Sequence, residues 1–278
     1  MAPAARQTIR IDDAEDPRIA EFRSIRERDL VGRQASFIAE GTVVLRMLAA
    51  AHAAGQAFRA EKILLLENRV AGLSELLGSF PVDVPVYVAD AAVIDAIAGF
   101  HLHRGVLALG RRLADPIVPD LLASMPKPAV VAVACGISNH DNIGAIFRNA
   151  AAFGVSAVLL DETCCDPLYR KALRVSVGSV LSVPYARGGT ALQLLTAVDA
   201  AGFSIWGLSP RGEVDIREVP PAPGVALVTG TEGEGLPQAV LSRFGSARIP
   251  QRPGLDSLNA ATATGIALYE IARLQRLI

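Results

Sequence analysis

The stretch KPAVVAVACGISNHDNIGAIFRNAAAFGVSAVLLDE, residues 127–162, decides how the second half of the chain is read. Residues 127–135 form an apolar run of strand length, and SAVLLDE, residues 156–162, forms a second. Between them Ile143, Ile146, Phe147, Ala150 and Ala151 recur at i, i+3, i+4, i+7 and i+8, the stripe of a helix packed on a core. Asn142 is positioned as N-cap and Gly154 as the stop. Arg148 lies off that stripe, on a row with Gly144 and Ala152. A lone arginine there is ordinarily a solvated side chain, but the small residues beside it leave room for a partner to come close.

The alternation continues to the end of the chain. CDPLYRKALRVSVG begins helical, SVLSVPYA reads as extended, and TALQLLTAVDAAG is a helix ended by Gly202. FSIWGLSP and VALVTG are strands, and PQAVLSRF and the short strand SARIPQ precede a long helix from Ser257, capped by Asp256 or Ser257. Strands alternating with helices predict an α/β domain on a largely parallel sheet. Upstream, DPRIAEFRSIRERDLVGR reads as a charged, solvated helix, and FIAEGTVVLRMLAAAHAAG as a helix beginning near Glu40. EKILLLE, VPVYVA and the apolar part of FHLHRGVLALGRR are strand-like, giving a smaller α/β module. The proline-containing stretch RRLADPIVPDLLASMPKP carries the boundary, so the domains are 1–120 and 121–278.

Of the 278 residues 51% are hydrophobic, enough to bury a sizeable core, and the net charge is −1. Proteins that grip nucleic acid through bulk charge are far more basic, so any such binding here relies on local patches and shape. Cys135, Cys164 and Cys165 make no CxxC pair and no disulfide framework, in keeping with a reducing cytoplasm. No secretory leader is visible in MAPAARQTIRIDD, and runs such as AVVAVAC are too short to cross a bilayer. His101 and His103 share one strand face, but without a third ligand they read as RNA contacts or plain surface, and no metal is expected.

Two further stretches carry chemistry. In VALVTGTEGEGLP, residues 225–237, a strand runs into Gly230, Gly233 and Gly235, where backbone can approach a ligand closely. Glu232 and Glu234 repel phosphate, and neither a P-loop lysine nor a dinucleotide fingerprint is present, so an uncharged or cationic ligand suits the loop, unless it is only a turn. In ARIPQRPGLDSLNAATATGIALYEIARL, residues 247–274, Ser257 and Asn259 stand at a helix mouth. Ala260, Ala261, Ala263, Gly265 and Ala267 thin that helix for close packing.

In order, N-x-G-x-x-x-R-N-A-A-x-F-G, L-V-T-G-T-E-G-E-G-L and I-P-Q-R-P-G-L-D-S-L-N resemble the three motifs of the SpoU (TrmH-like) RNA ribose methyltransferases. RKALRVSVGSVLSVP resembles the family's linking segment, so the likeness spans residues 127–278. More weakly, FIAEG and GFHLHRGVLALG resemble the family's substrate-binding module, a fold shared with ribosomal RNA-binding proteins.

The resemblance implies a deep trefoil knot forming an S-adenosylmethionine pocket lined by Gly230, Ile249, Leu258 and Leu208. It implies that Arg148 faces the target ribose, supported by Asn142, Glu232, Ser257 and Asn259, with Glu232 orienting Arg148 or the loop. Arg148 is then either the base for the 2′-hydroxyl or a cation steadying the developing alkoxide, since free guanidinium stays protonated to roughly pH 12. A homodimer, and RNA as partner with ribosomal RNA ahead of transfer RNA, follow from the same likeness. Three departures concern the substrate entrance: Asn139 and His140 stand for Asp-Pro, Gln251 for methionine, and Ala261 for serine, which makes His140 a candidate RNA contact. The rival readings are a non-catalytic RNA-binding or ribosome-assembly protein on this scaffold, and a base-directed methyltransferase.

Overall fold

The computed structural model describes residues 6–23, 31–32, 35–55, 57–98, 105–252, 254 and 257–278. It divides into two compact units, one reaching Asp115 and also taking Leu168–Leu181, the other made of Pro116–Pro167 and Ser182–Ile278.

The first unit holds a mixed five-stranded sheet. Its strands are β1 (Ile9–Arg10), β2 (Ser36–Glu40), β3 (Phe58–Leu66), β4 (Val86–Ala89) and β5 (Val106–Arg112), ordered β1-β4-β3-β5-β2. β1 and β3 run parallel to β4, while β5 is antiparallel to β3 and β2. FIAE is thus a strand, and the helix read from near Glu40 starts two residues later. Gly41, at φ +91°, ends β2, and the helix Thr42–Ala54 begins only beyond it. All five β2 residues are buried, which explains why their pattern lacks the alternation of a one-sided strand. Within the charged segment Pro17–Phe22 is a 3₁₀ turn with Asp16 as cap, and Val31 and Gly32 are helical. His101 and His103 lie outside the described residues.

Residues 168–181 join this unit because their side chains bury there. Leu168, Leu173 and Val180 are fully enclosed, and Arg170 of the helix Arg170–Val175 donates to Glu40 at 2.9 Å. SVLSVPYA is correspondingly not one extended run. Ser179–Leu181 is a 3₁₀ turn, and the strand is limited to Tyr185–Arg187.

Among the described residues the second unit holds seven strands, all parallel. They are β6 (Ala129–Ala134), β7 (Ala157–Leu160), β8 (Tyr185–Arg187), β9 (Ser204–Leu208), β10 (Val214–Asp215), β11 (Gly224–Thr229) and β12 (Gly245–Arg248). Their order is β10-β12-β9-β11-β6-β7-β8. β6 and β11, at the centre, are buried along their whole length, as expected for a parallel sheet covered on both faces.

The helix after β6 runs His140–Ala152, and its cap is Asn139, whose side chain accepts from the Asp141 N–H at 2.8 Å. Asn142 is therefore one turn inside rather than at the end. Ile143, Ile146, Phe147 and Ala150 are buried as the stripe requires, but Ala151 is exposed. The last helix begins at Ala260, not Ser257, because Asn259 caps it by accepting from the Thr262 N–H at 3.1 Å; Asp256 is outside the described residues. Its thin face meets the His140–Ala152 helix. Asn149 donates to the Ala261 carbonyl at 3.1 Å, and a Cβ on Gly265 would lie 2.6 Å from the Asn149 amide nitrogen. Among the described residues no helix is long and apolar enough to cross a membrane.

Candidate active site

In a parallel α/β sheet ligands bind beyond the carboxyl ends of the strands. A cavity of about 1220 Å³ opens there, lined by residues that follow β6, β7, β9, β11 and β12. Gly230, just past β11, closes the strand onto its own loop. A Cβ there would come within 2.4 Å of the Gly235 backbone, so the fold-back bridging Thr231 and Gly235 requires glycine. Leu208 ends β9, and Ile249 and Leu258 belong to the segment leaving β12. All four residues expected around a cofactor line this one cavity.

Glu232, Ser257 and Asn259 also line it. Glu232 Oε1 accepts from Asn142 Nδ2 at 2.6 Å and from Asn259 Nδ2 at 2.7 Å, while Asn259 Nδ2 also reaches Asn142 Oδ1 at 2.9 Å. One side chain from each of the three motifs meets at one point, although 27 to 117 positions separate them along the chain. Asn142 is 5% exposed and reaches the cavity through this network, whereas Glu232 stays exposed. Behind it, Thr229 and Thr264 share a buried hydroxyl bond of 2.6 Å that ties β11 to the last helix.

Arg148 is placed differently. It is exposed on the His140–Ala152 helix, is not among the lining residues, and makes no hydrogen bond or ion pair among the described residues. Glu232 bonds the two amides instead.

Sequence reasoning missed the wall formed by Cys135, Gly136, Asp161 and Thr163. Gly136, at φ +71°, lets the turn after β6 press on Thr231, where a Cβ would come within 2.5 Å of its methyl. Asp161, 5% exposed, accepts from the Gly136, Thr163 and Cys164 N–H groups and from the Thr163 hydroxyl. A carboxylate one residue past a parallel strand was the available signal. Burial, with Asp161 adding to it, pushes the Cys164 thiol up to about 12 and raises Cys135 as well, so neither is a ready thiolate at neutral pH.

With this geometry the comparisons with known proteins agree. The chain belongs to the SpoU rRNA Methylase family, whose profile matches residues 129–269. It is 40% identical to an uncharacterised tRNA/rRNA methyltransferase of Mycobacterium bovis over 271 residues, covering 94% of this chain and 90% of the relative. An AdoMet-bound rRNA methyltransferase from Sinorhizobium meliloti shares the fold at TM-score 0.81 and 23% identity, covering 96% of this chain and 98% of that one. An RNA 2′-O ribose methyltransferase superposes at TM-score 0.75 with 27% identity over 97% of this chain and 100% of that one. The protein is an RNA methyltransferase of the SpoU family.

Proposed function

We propose that the chain methylates a ribose 2′-hydroxyl in ribosomal RNA, with transfer RNA the second candidate. The methyl donor is S-adenosylmethionine, and Gly230, Ile249, Leu258 and Leu208 hold it. The cavity fits that group by size and by chemistry: apolar walls at Leu208, Leu236 and Leu241 suit a nucleoside, and the carboxylates of Asp161, Glu232 and Glu234 suit a sulfonium cation. The observation that carries the reading is the Asn142–Glu232–Asn259 network at the cavity wall.

S-adenosylmethionine, when bound, supplies an electrophilic methyl group; the rest falls to the protein. Asn142 and Asn259 fix Glu232 through one carboxylate oxygen, Oε1. Ser257, exposed at the cavity, hydrogen-bonds near the ribose. The Arg148 guanidinium steadies the alkoxide and the neighbouring phosphate as the hydroxyl proton passes to solvent water; its use as the base that takes that proton is the alternative.

Because Arg148 does not line the cavity of its own chain, the reading includes a homodimer whose paired copies meet at the target. Exposed Ile266 (40%) and Tyr269 (47%) on the last helix, with Phe153 edge-on to Tyr269, support that face. The return of the segment after β12 to the Gly230–Gly235 loop supports the trefoil knot. The domain of residues 1–120 binds the RNA, and the free thiols of Cys135, Cys164 and Cys165 fit a reducing cytoplasm.

The test is nucleoside mass spectrometry after incubating protein, isotopically labelled S-adenosylmethionine and unmodified ribosomal and transfer RNA. A labelled 2′-O-methyl nucleoside is expected, whereas label on a base would replace this reading with base methylation. Arg148→Ala should bind the cofactor normally and lose about 100-fold or more in rate. Full activity in that variant would remove Arg148 from the mechanism.

A further inference from the structure

The ionisable groups on the cavity wall are uneven. Asp161, Glu232 and Glu234 are acidic, and among the described residues Arg211 is the one arginine or lysine lining the cavity. Arg211 sits three residues past Leu208 on a turn that several contacts hold rigidly. The Ser209 N–H donates to Ala247 O at 3.0 Å, and the Gly212 N–H closes the turn on Ser209 O at 3.0 Å. The Arg211 N–H donates to Ser209 Oγ at 3.2 Å. A Cβ on Gly212 would come within 2.4 Å of the Ala247 backbone, so the turn lies directly on β12. From that strand the Arg248 guanidinium donates to the Gly212 and Glu213 carbonyls at 2.9 and 2.7 Å.

The backbone of Arg211 is therefore fixed, while its side chain is exposed and makes no ion pair or side-chain hydrogen bond among the described residues. A cation on a fixed stretch of backbone and without a protein partner among the described residues, on the wall of a cavity that is otherwise acidic, calls for an anion from the ligand. The cofactor's tail offers one: it carries a sulfonium and an ammonium, which three carboxylates attract, and a carboxylate, which they repel. We propose that Arg211 binds the α-carboxylate of S-adenosylmethionine and so selects the amino-acid tail of the cofactor. This rests on the cofactor assignment made above.

The experiment is calorimetric titration of the full chain with S-adenosylhomocysteine and with 5′-methylthioadenosine, which keeps the adenosine thioether but lacks the amino-acid tail. One charge-assisted hydrogen bond in a solvent-reached site corresponds to about five- to tenfold in affinity. Arg211→Met should weaken S-adenosylhomocysteine by that factor and leave 5′-methylthioadenosine within about twofold. Arg211→Lys should recover part of the loss, since it restores charge but not the two-pronged geometry. Unchanged S-adenosylhomocysteine affinity, or an equal loss for both ligands, would overturn the assignment. If the same variant instead weakens only RNA binding, with a shallower salt dependence, Arg211 is a phosphate contact and the proposal fails. Wild-type protein that binds neither ligand would overturn the cofactor assignment itself, and this proposal with it.

Discussion

Two glutamates, Glu40 and Glu232, show how one side chain is put to opposite uses. Glu40, 6% exposed at the end of β2, faces two guanidiniums, Arg170 at 2.9 Å and Arg174 at 3.9 Å. Glu232 lies exposed on a loop and accepts from two neutral amides through a single oxygen. Burial obliges Glu40 to be charge-paired, because an uncompensated charge out of water costs several kcal/mol. Water and ligand can reach Glu232, so amides suffice to orient it and its remaining lone pairs stay available. The first carboxylate belongs to the fold, the second to the site.

Substitution separates them. Glu40→Ala takes the shared carboxylate from Arg170 and Arg174, and because Arg170 is 29% exposed the loss should fall at about 3 kcal/mol, the low end for breaking a buried pair. Urea unfolding reads this, while affinity for S-adenosylhomocysteine in the folded fraction should hold. A loss of cofactor affinity larger than the loss of stability would erase the contrast. Glu232→Gln should do the reverse, leaving the unfolding free energy read in urea within about 0.5 kcal/mol. Methyl transfer to RNA should fall about 30-fold, or roughly 2 kcal/mol of barrier. An unchanged rate would reduce Glu232 to a loop tether.

A smaller effect lies behind Glu40. Val177, in the segment that carries Arg170 and Arg174, has φ +50°, a left-handed conformation that a β-branched residue adopts only under strain. Val177→Gly should therefore stabilise the protein by about 0.5 kcal/mol, once the greater entropy of unfolded glycine is subtracted. Destabilisation would mean that the valine side chain contributes more by packing than its backbone costs.

A third carboxylate sharpens the comparison by pH. Asp215 accepts from the Arg217 guanidinium at 2.9 and 2.6 Å, which holds its carboxyl down to about 2. Ionised Asp215 therefore favours the folded state. That contribution is complete above the unfolded value near 4 and disappears as pH falls from there through about 2. The thermal midpoint of Asp215→Asn should lie slightly below wild type at pH 6, and the gap should narrow as pH falls from 4 and close only below about pH 2. A gap that persists in acid would tie Asp215 to packing rather than to charge.

Much of the second unit was legible because its signals are local. AVVAVA and VALVT are apolar runs that only a covered parallel sheet accommodates, and the stripe Ile143, Ile146, Phe147, Ala150 identifies the helix between strands. The caps were harder. Asn139, Asn142 and Asn259 are chemically equivalent candidates, and which one caps depends on where the chain turns, not on residue type. The strand Ser36–Glu40 was not legible ahead of the helix, because a strand covered on both sides loses the alternation that would announce it. Asp161 was passed over because a carboxylate ending a strand matters only when its neighbours bring a cavity to it.

By itself the sequence determined the α/β alternation, the glycine hinge at Gly230 and the three ordered motifs, since each rests on residue type and short spacing. Only the tertiary structure decided that residues 168–181 pack with the first unit and that Asn142, Glu232 and Asn259 share one set of hydrogen bonds. It also placed Arg148 outside the cavity and Arg211 on its wall. Such juxtapositions join residues up to 117 positions apart, and only the folded path of the backbone determines which side chains come within hydrogen-bond reach.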